Sequence, residues 1–139
     1  MPDFTIETTY HQPIYRQRSY CADTLAQACR LAIEDDNWDS SKSDNDTPGE
    51  TFVTGIWPAS VAPHSVPSIT VPSQFGETVQ RKADHFELLL GLLKMLLADT
   101  VARRASSAEW IGRATWAVAR GEAIIAGARD PDIRPGPAA

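Results

Sequence analysis

Carboxylates crowd one stretch of the chain. The run DDNWDSSKSDNDTPGE, residues 35–50, holds six of them around a single lysine. Closely spaced carboxylate oxygens are the ligands that Ca²⁺ prefers, and they also form negative surfaces that attract basic partners. The same residue types are common in solvated turns. The stretch could therefore be a calcium site, an acidic surface that binds a basic protein, or a solvated loop.

The calcium hypothesis rests on a loop of the right length. Residues 39–50 match the twelve-residue length of an EF-hand loop, with Asp39 at the first position and Glu50 at the last. Position six, however, is Asp44 where the sharp turn needs glycine, and positions three and five are the weaker ligands Ser41 and Ser43. The pattern disfavours calcium, and we expect no metal ion.

A negative surface and a solvated loop remain as explanations of the acidic stretch. Repulsion between like charges keeps such a segment extended in water, and it also steers a basic groove toward it. The candidate partner-binding carboxylates are Asp35, Asp36, Asp39, Asp44, Asp46 and Glu50.

Catalytic motifs are missing from the sequence. The three histidines, His11, His64 and His85, are scattered, and the sequence contains no HExxH, CxxC, GxSxG or phosphate-binding glycine loop. The chain is expected to carry no cofactor and no catalytic residue. An enzyme with an unrecognised pocket near His85 or Cys29 stays open as an alternative.

Composition restricts the class of partner and the compartment. A net charge of -5 argues against direct nucleic-acid binding, which depends on lysine and arginine at phosphates. No signal peptide is visible, and no run approaches the roughly 18 apolar residues of a membrane span. Only two cysteines occur, Cys21 and Cys29, and both are expected as reduced thiols, Cys29 packing on the apolar face of a helix. We predict a cytoplasmic protein without membrane contact.

The front of the chain predicts an α+β arrangement. Alternating apolar and polar residues indicate a hairpin of strands 3–10 and 13–21. Asp23 or Thr24 can cap a following helix over 24–36. The run ETFVTGIW, residues 50–57, predicts a third strand. Residues 3–57 are thus expected to form a β-β-α-β unit, a three-stranded sheet with one helix packed on it.

The rest of the chain predicts a connection and two helices within one domain of 139 residues. Residues 58–76 are proline-rich and lack a sustained period. Apolar periodicity over 77–128 predicts a C-terminal helical hairpin. Residues 129–139 have little apolar content and are expected to be a mobile tail.

The first of these helices is apolar on more than one side. One stripe is formed by Phe86, Leu89, Leu90, Leu93, Leu97 and Val101, and Leu88, Leu92, Met95 and Leu96 widen it. We expect the sheet and the last helix, whose own stripe is Ile111, Ala114, Val118, Gly121 and Ile125, to cover part of this surface. Any surplus indicates a homodimer or a binding groove. The candidate interface residues are Trp110, Trp116, Leu88, Leu92 and Leu96.

The chain resembles known sequences in three passages, which are YHQPIYRQRSYCADTLAQACRLAIEDDNW, GETFVTGIWP and VPSQFGETVQRKADHFELLLGLLK. They resemble small uncharacterised bacterial proteins carried by plasmids and integrated mobile elements. That resemblance implies an accessory role, such as countering a host defence system by binding it, and brings no functional residue with it.

The sequence as a whole favours a non-catalytic interaction protein that self-associates and binds or inhibits a protein partner. Two alternatives stay open. One is a structural homodimer whose acidic stretch binds nothing, and the other is the small enzyme.

Overall fold

A computed structural model describes residues 1–132 of the chain. In this part the protein is α+β, with two antiparallel two-stranded sheets, three α-helices and one short 3-10 helix. The described chain divides into two compact units, residues 10–50 and residues 1–9 together with residues 51–132. None of the described helices combines the length and the apolar character needed to cross a bilayer.

The sheet pairing differs from the predicted hairpin. Strand β1 (Phe4–Thr9) pairs with β4 (Phe52–Pro58), and β2 (Ile14–Tyr15) pairs with β3 (Lys42–Ser43) inside the acidic stretch. The single three-stranded sheet is therefore not confirmed. The reason lies in the backbone around Pro13, because the carbonyls of His11 and Pro13 accept hydrogen bonds from Gly49 and Asp44.

The chain beyond Pro58 is ordered by one tryptophan. Trp57 is 2% exposed, and its indole N–H donates to the carbonyl of Val66 at 3.0 Å. Further along, the backbone N–H of Ile56 donates to the hydroxyl of Ser68, and the carbonyl of Ile56 accepts from the backbone N–H of Ile69. These bonds lay the proline-rich connection alongside β4, and no helix or strand forms between β4 and the 3-10 helix at Ser73–Phe75.

The predicted C-terminal helical pair is confirmed. Helix α2 covers Thr78–Val101 and α3 covers Ala108–Ala126. The short loop between them is fixed by Asp99, whose carboxylate accepts hydrogen bonds from Arg104 at 2.8 Å and Ser106 at 2.9 Å. Ser107 caps the start of α3, and Gly127, at φ 66°, ends it in the left-handed conformation that glycine adopts readily.

The faces that meet between these helices are not the predicted apolar stripes. Helix α2 buries Arg81, His85, Leu92 and Asp99, and α3 buries Ala117 and Ile124. The stripe from Phe86 to Val101 remains exposed, as do the large side chains of the α3 stripe. The physical reason is that polar contacts, described below, hold the helices by their other faces.

The first helix is close to its predicted position. Helix α1 covers Leu25–Glu34, and Thr24 caps it by accepting a hydrogen bond from the Gln27 backbone at 3.1 Å. Both cysteines are free and exposed. The expectation that Cys29 packs against an apolar neighbour is therefore wrong. Ala28 and Ala32 form the half-buried side of α1 instead.

The predicted mobile tail is only partly described. Residues 129–132 include Asp130, whose backbone N–H donates to Ser73 at 2.8 Å and whose carboxylate binds two arginines. This part is anchored. Residues 133–139 lie outside the described residues.

Alanine substitutions at two glycines, one in strand β4 against Trp57 and one in helix α3 with open space around it, test the packing of Trp57. A Cβ at Gly55 would lie 2.2 Å from the indole ring, so Gly55→Ala displaces Trp57 and lowers the free energy of unfolding by about 1–3 kcal/mol. A Cβ at Gly112 in α3 meets nothing within 4 Å, so Gly112→Ala raises that free energy by about 0.5–1 kcal/mol. Urea unfolding measures both, and equal effects would contradict the packing described here.

Candidate functional site

A groove between α2 and α3 collects most of the predicted interface residues. Its volume is about 340 Å³, and we name it the tryptophan groove. Four of the five predicted residues line it, whereas Leu96 is half-buried and does not. The full lining consists of Glu87, Leu88, Gly91, Leu92, Met95, Trp110, Arg113 and Trp116.

The two helices contribute different parts of this groove. From α2 come apolar side chains one turn apart, with Gly91 leaving open space where a Cβ would meet nothing within 4 Å. From α3 come the two indoles. The guanidinium of Arg113 lies 4.9 Å from the centroid of the Trp110 ring and is itself held by Glu109 at 2.7 Å. Arg113 thereby restricts the orientation of Trp110.

Two N–H donors of the groove residues have no acceptor. The indole nitrogen of Trp116 and the Nε of Arg113 are buried, and neither makes a hydrogen bond among the described residues. An unsatisfied buried donor costs about 1–3 kcal/mol. Both nitrogens are covered by the protein itself, so a ligand in the tryptophan groove can use them only if the side chains that cover them move.

His85 takes part in a polar network that joins the helices. Its Nε2–H donates to the carbonyl of Ala117 at 2.7 Å, and its Nδ1 accepts from Arg120 at 3.0 Å. A carbonyl can only accept and a guanidinium can only donate, so the imidazole is neutral with its proton on Nε2. Both ring nitrogens are used structurally, which gives no support to His85 as a general base.

Asp130 extends this network to a second arginine. Its carboxylate lies 3.2 Å from Arg120 and 2.6 Å from Arg81, which also donates to the carbonyl of Ala128 at 2.8 Å. Burial alone would raise the pKa of Asp130, but hydrogen bonds from Arg81 and Arg120 hold it below its usual range. The network ties α2, α3 and the chain after α3 together.

Cys29 lies in a separate concavity within residues 10–50. This concavity has a volume of about 800 Å³, and its lining combines small or aliphatic residues with aromatic and arginine side chains, among them Tyr15, Arg16, Tyr20 and Trp38. A cysteine nucleophile needs a neighbouring base. The described residues that line the concavity include no histidine and no carboxylate. The lining thus places no histidine or carboxylate beside Cys29, whereas His85 lines a different cavity together with Lys82.

The first carboxylate of the acidic stretch is used inside the protein. Asp35 accepts hydrogen bonds from the Asn37 backbone at 3.0 Å, from Tyr20 at 2.8 Å and from Arg18 at 2.9 Å. These bonds lower the pKa of Asp35 to about 2, and the bond from the Asn37 backbone has the largest effect. Arg16 adds a fourth contact and stacks 4.0 Å from the centroid of Trp38. Asp35 is therefore a structural anchor.

The remaining carboxylates divide into one that builds a turn and several on the surface. Asp44 accepts hydrogen bonds from the Thr47 hydroxyl and the Asp46 backbone, and these lower its pKa. Asp36, Asp39, Asp46 and Glu50 are exposed. Among residues 1–132, no group of three or more His, Cys, Asp or Glu side chains is placed to hold a metal ion.

Sequence reasoning missed several residues of these sites. Gly91 and Arg113 in the tryptophan groove were not considered, nor was the link from Arg81 and Arg120 to Asp130. One signal was available, because Arg81, His85, Leu88 and Leu92 recur at helical spacing and so share a face. Nothing local to residue 130 indicates that its carboxylate meets two arginines.

The structural role of Asp35 predicts a distinct pH dependence. Its folded pKa of about 2 lies below the unfolded value of about 3.9, so its stabilising contribution is complete above pH 4 and lost as the pH falls toward 2. Asp35→Asn should lower the thermal unfolding midpoint at pH 7, and the difference from wild type should shrink below pH 4. Asp39→Asn, at an exposed carboxylate, is the matched control. A deficit for Asp35→Asn that persists unchanged at pH 2 would contradict this role.

No family model, curated protein or solved structure gives a significant match to this chain. The resemblance to small proteins of mobile elements therefore stays a prediction. The side chains and their contacts are the basis for what is proposed about function.

Proposed function

We propose that this chain is a non-catalytic, cytoplasmic interaction protein that binds a protein partner in the tryptophan groove. The observation that carries the proposal is the convergence of Trp110, Trp116, Leu88 and Leu92 on one groove. Tryptophan is enriched among the residues that dominate binding energies, particularly where aliphatic side chains surround it. The open space at Gly91 leaves room for a side chain from the partner.

The unsatisfied donors indicate what the partner offers. A peptide segment that places an apolar side chain over Gly91 also brings backbone carbonyls to the walls of the groove. If the side chains that cover Trp116 Nε1 and Arg113 Nε move aside, such a carbonyl could accept from either donor and remove the penalty of a buried unpaired donor. The proposed ligand is therefore an apolar protein segment with accessible carbonyl groups.

The exposed carboxylates favour a positively charged partner. Asp36, Asp39 and Asp46 are exposed, and the chain as a whole carries a net charge of -5. A basic partner would be steered toward such a surface, and its association rate would fall with added salt. Inhibition of a basic component of a host defence system fits this chemistry and the resemblance to mobile-element proteins.

A structural homodimer is the second candidate function. It is favoured by the large exposed side chains along α2 and α3, which the tryptophan groove does not include. Such a protein would need no ligand for the acidic stretch, and substitutions there would leave its assembly unchanged.

Affinity capture with paired variants tests the proposed function. Tagged wild-type protein should retain a partner from host lysate, and Gly91→Leu should abolish that retention by filling the groove. Gly112→Leu, at a helical glycine that does not line the groove, should retain the partner. Replacing Asp36, Asp39 and Asp46 together by lysine should weaken capture and remove its salt dependence.

The pattern of loss decides between the alternatives. Partner retention by Gly91→Leu at the wild-type level would exclude the tryptophan groove as the binding site. If capture is unchanged by the triple lysine substitution, the exposed carboxylates of the acidic stretch take no part in binding. Titration of the purified partner should give a dissociation constant that is at least about 30-fold larger for Gly91→Leu than for the wild type, as expected at the centre of an interface.

A further inference from the structure

A second apolar surface lies on the helical pair, outside the tryptophan groove. It consists of eight large side chains that are between 39% and 80% exposed. We name it the apolar face. Its members are Phe86, Leu89, Leu90, Leu93 and Leu97 of α2 and Ile111, Val118 and Ile125 of α3.

These side chains form one continuous surface. Phe86 and Leu89 of α2 line a shallow groove together with Ile125 of α3. On α2, Phe86, Leu90, Leu93 and Leu97 follow one another at steps of four, three and four residues. On α3, the members recur every seventh position from Ile111 to Ile125. Steps of three, four and seven stay on one side of a helix. The surface therefore runs along both helices.

The apolar face is large for the surface of a single chain. Its eight side chains adjoin one another, and each is at least 39% exposed. The largest apolar patch of a typical monomer covers about 300–600 Å² and is often functional. A standard protein interface buries about 800 Å² on each partner, much of it apolar at its centre. The apolar face could therefore form the centre of one side of a dimer interface.

Charge at the edge of the apolar face favours a second copy of the same chain. Glu87 and Lys94 are exposed, carry opposite charges and lie seven residues apart, so they follow the same edge of the α2 stripe. If two α2 helices run antiparallel about an axis near Leu90, Glu87 of each copy approaches Lys94 of the other. A two-fold interface then contains this pair twice.

We propose that the apolar face is the interface of a two-fold symmetric homodimer, in which α2 and α3 of two copies pack as four helices. This assembly shares one residue with the tryptophan groove, because Glu87 lines that groove and also forms the charge pair between copies. It buries the aliphatic residues that α2 and α3 leave exposed in the single chain.

Sedimentation of the full chain tests the proposed dimer. Wild-type protein should sediment at twice its 15.2 kDa mass at micromolar concentration. Leu93→Glu, at the centre of the face, should raise the dimer dissociation constant at least about 30-fold. Leu25→Glu in α1, at a leucine that is 82% exposed but outside the face, is the matched control and should remain dimeric.

A charge swap tests the antiparallel arrangement without removing an apolar side chain. Glu87→Lys and Lys94→Glu should each weaken the dimer, and the double variant should restore it, because both cross-copy pairs then form with reversed polarity. Both positions are exposed in the single chain, so these variants keep the fold, which far-ultraviolet circular dichroism verifies.

Several outcomes would overturn the proposal. A wild-type chain that stays monomeric throughout the micromolar range would show that another protein or another part of this chain covers the apolar face. An unchanged dimer for a folded Leu93→Glu variant would place the interface elsewhere. Assemblies larger than a dimer would exclude the closed two-fold arrangement, and a double swap that fails to restore the dimer would exclude the antiparallel pairing.

Discussion

The hydrogen bond from His85 to the carbonyl of Ala117 decides how the two long helices meet. The imidazole is 2% exposed, and its other nitrogen accepts from Arg120. Each of these bonds needs one particular rotation of α2 relative to α3, since a buried polar group without its partner costs about 1–3 kcal/mol. The other features of the helical pair follow from that rotation, including which side chains form the tryptophan groove and which stay outside it.

Hydrophobic periodicity was enough to predict the helices but not their orientation. The ranges 24–36 and 77–128 were close to the observed helices because apolar residues recur there at helical spacing and Thr24 and Gly127 mark helix ends. The strongest stripe, from Phe86 to Val101, was expected to be covered in part by the sheet and the last helix, but its six residues are exposed. Periodicity reports which residues share a face and cannot report what that face contacts.

Strand pairing failed as a prediction for a related reason. Residues close in sequence were assumed to pair, whereas β1 pairs with β4 more than forty residues away. The deciding contacts are made by residues that seemed to belong to a loop, because Asp44 and Gly49 donate backbone hydrogen bonds to the segment after β1. The acidic composition of residues 35–50 suggested a surface segment, but Asp35 and its arginine partners make it part of a folded unit.

The inward position of polar residues on α2 bears on how the protein is used. Turning α2 by about 100°, one residue of a helix, would bury Phe86 and return His85 to water. Each apolar side chain buried in that way would contribute about 1.5–3 kcal/mol, but the buried hydrogen bonds from His85 to Ala117 and from Arg120 to His85 would be lost. The observed orientation instead uses directional hydrogen bonds to hold α2 and α3 in register and keeps the aliphatic residues on the surface. In the proposed dimer a second copy covers these aliphatic residues, and the proposed partner binds in the tryptophan groove on the other side of the helical pair.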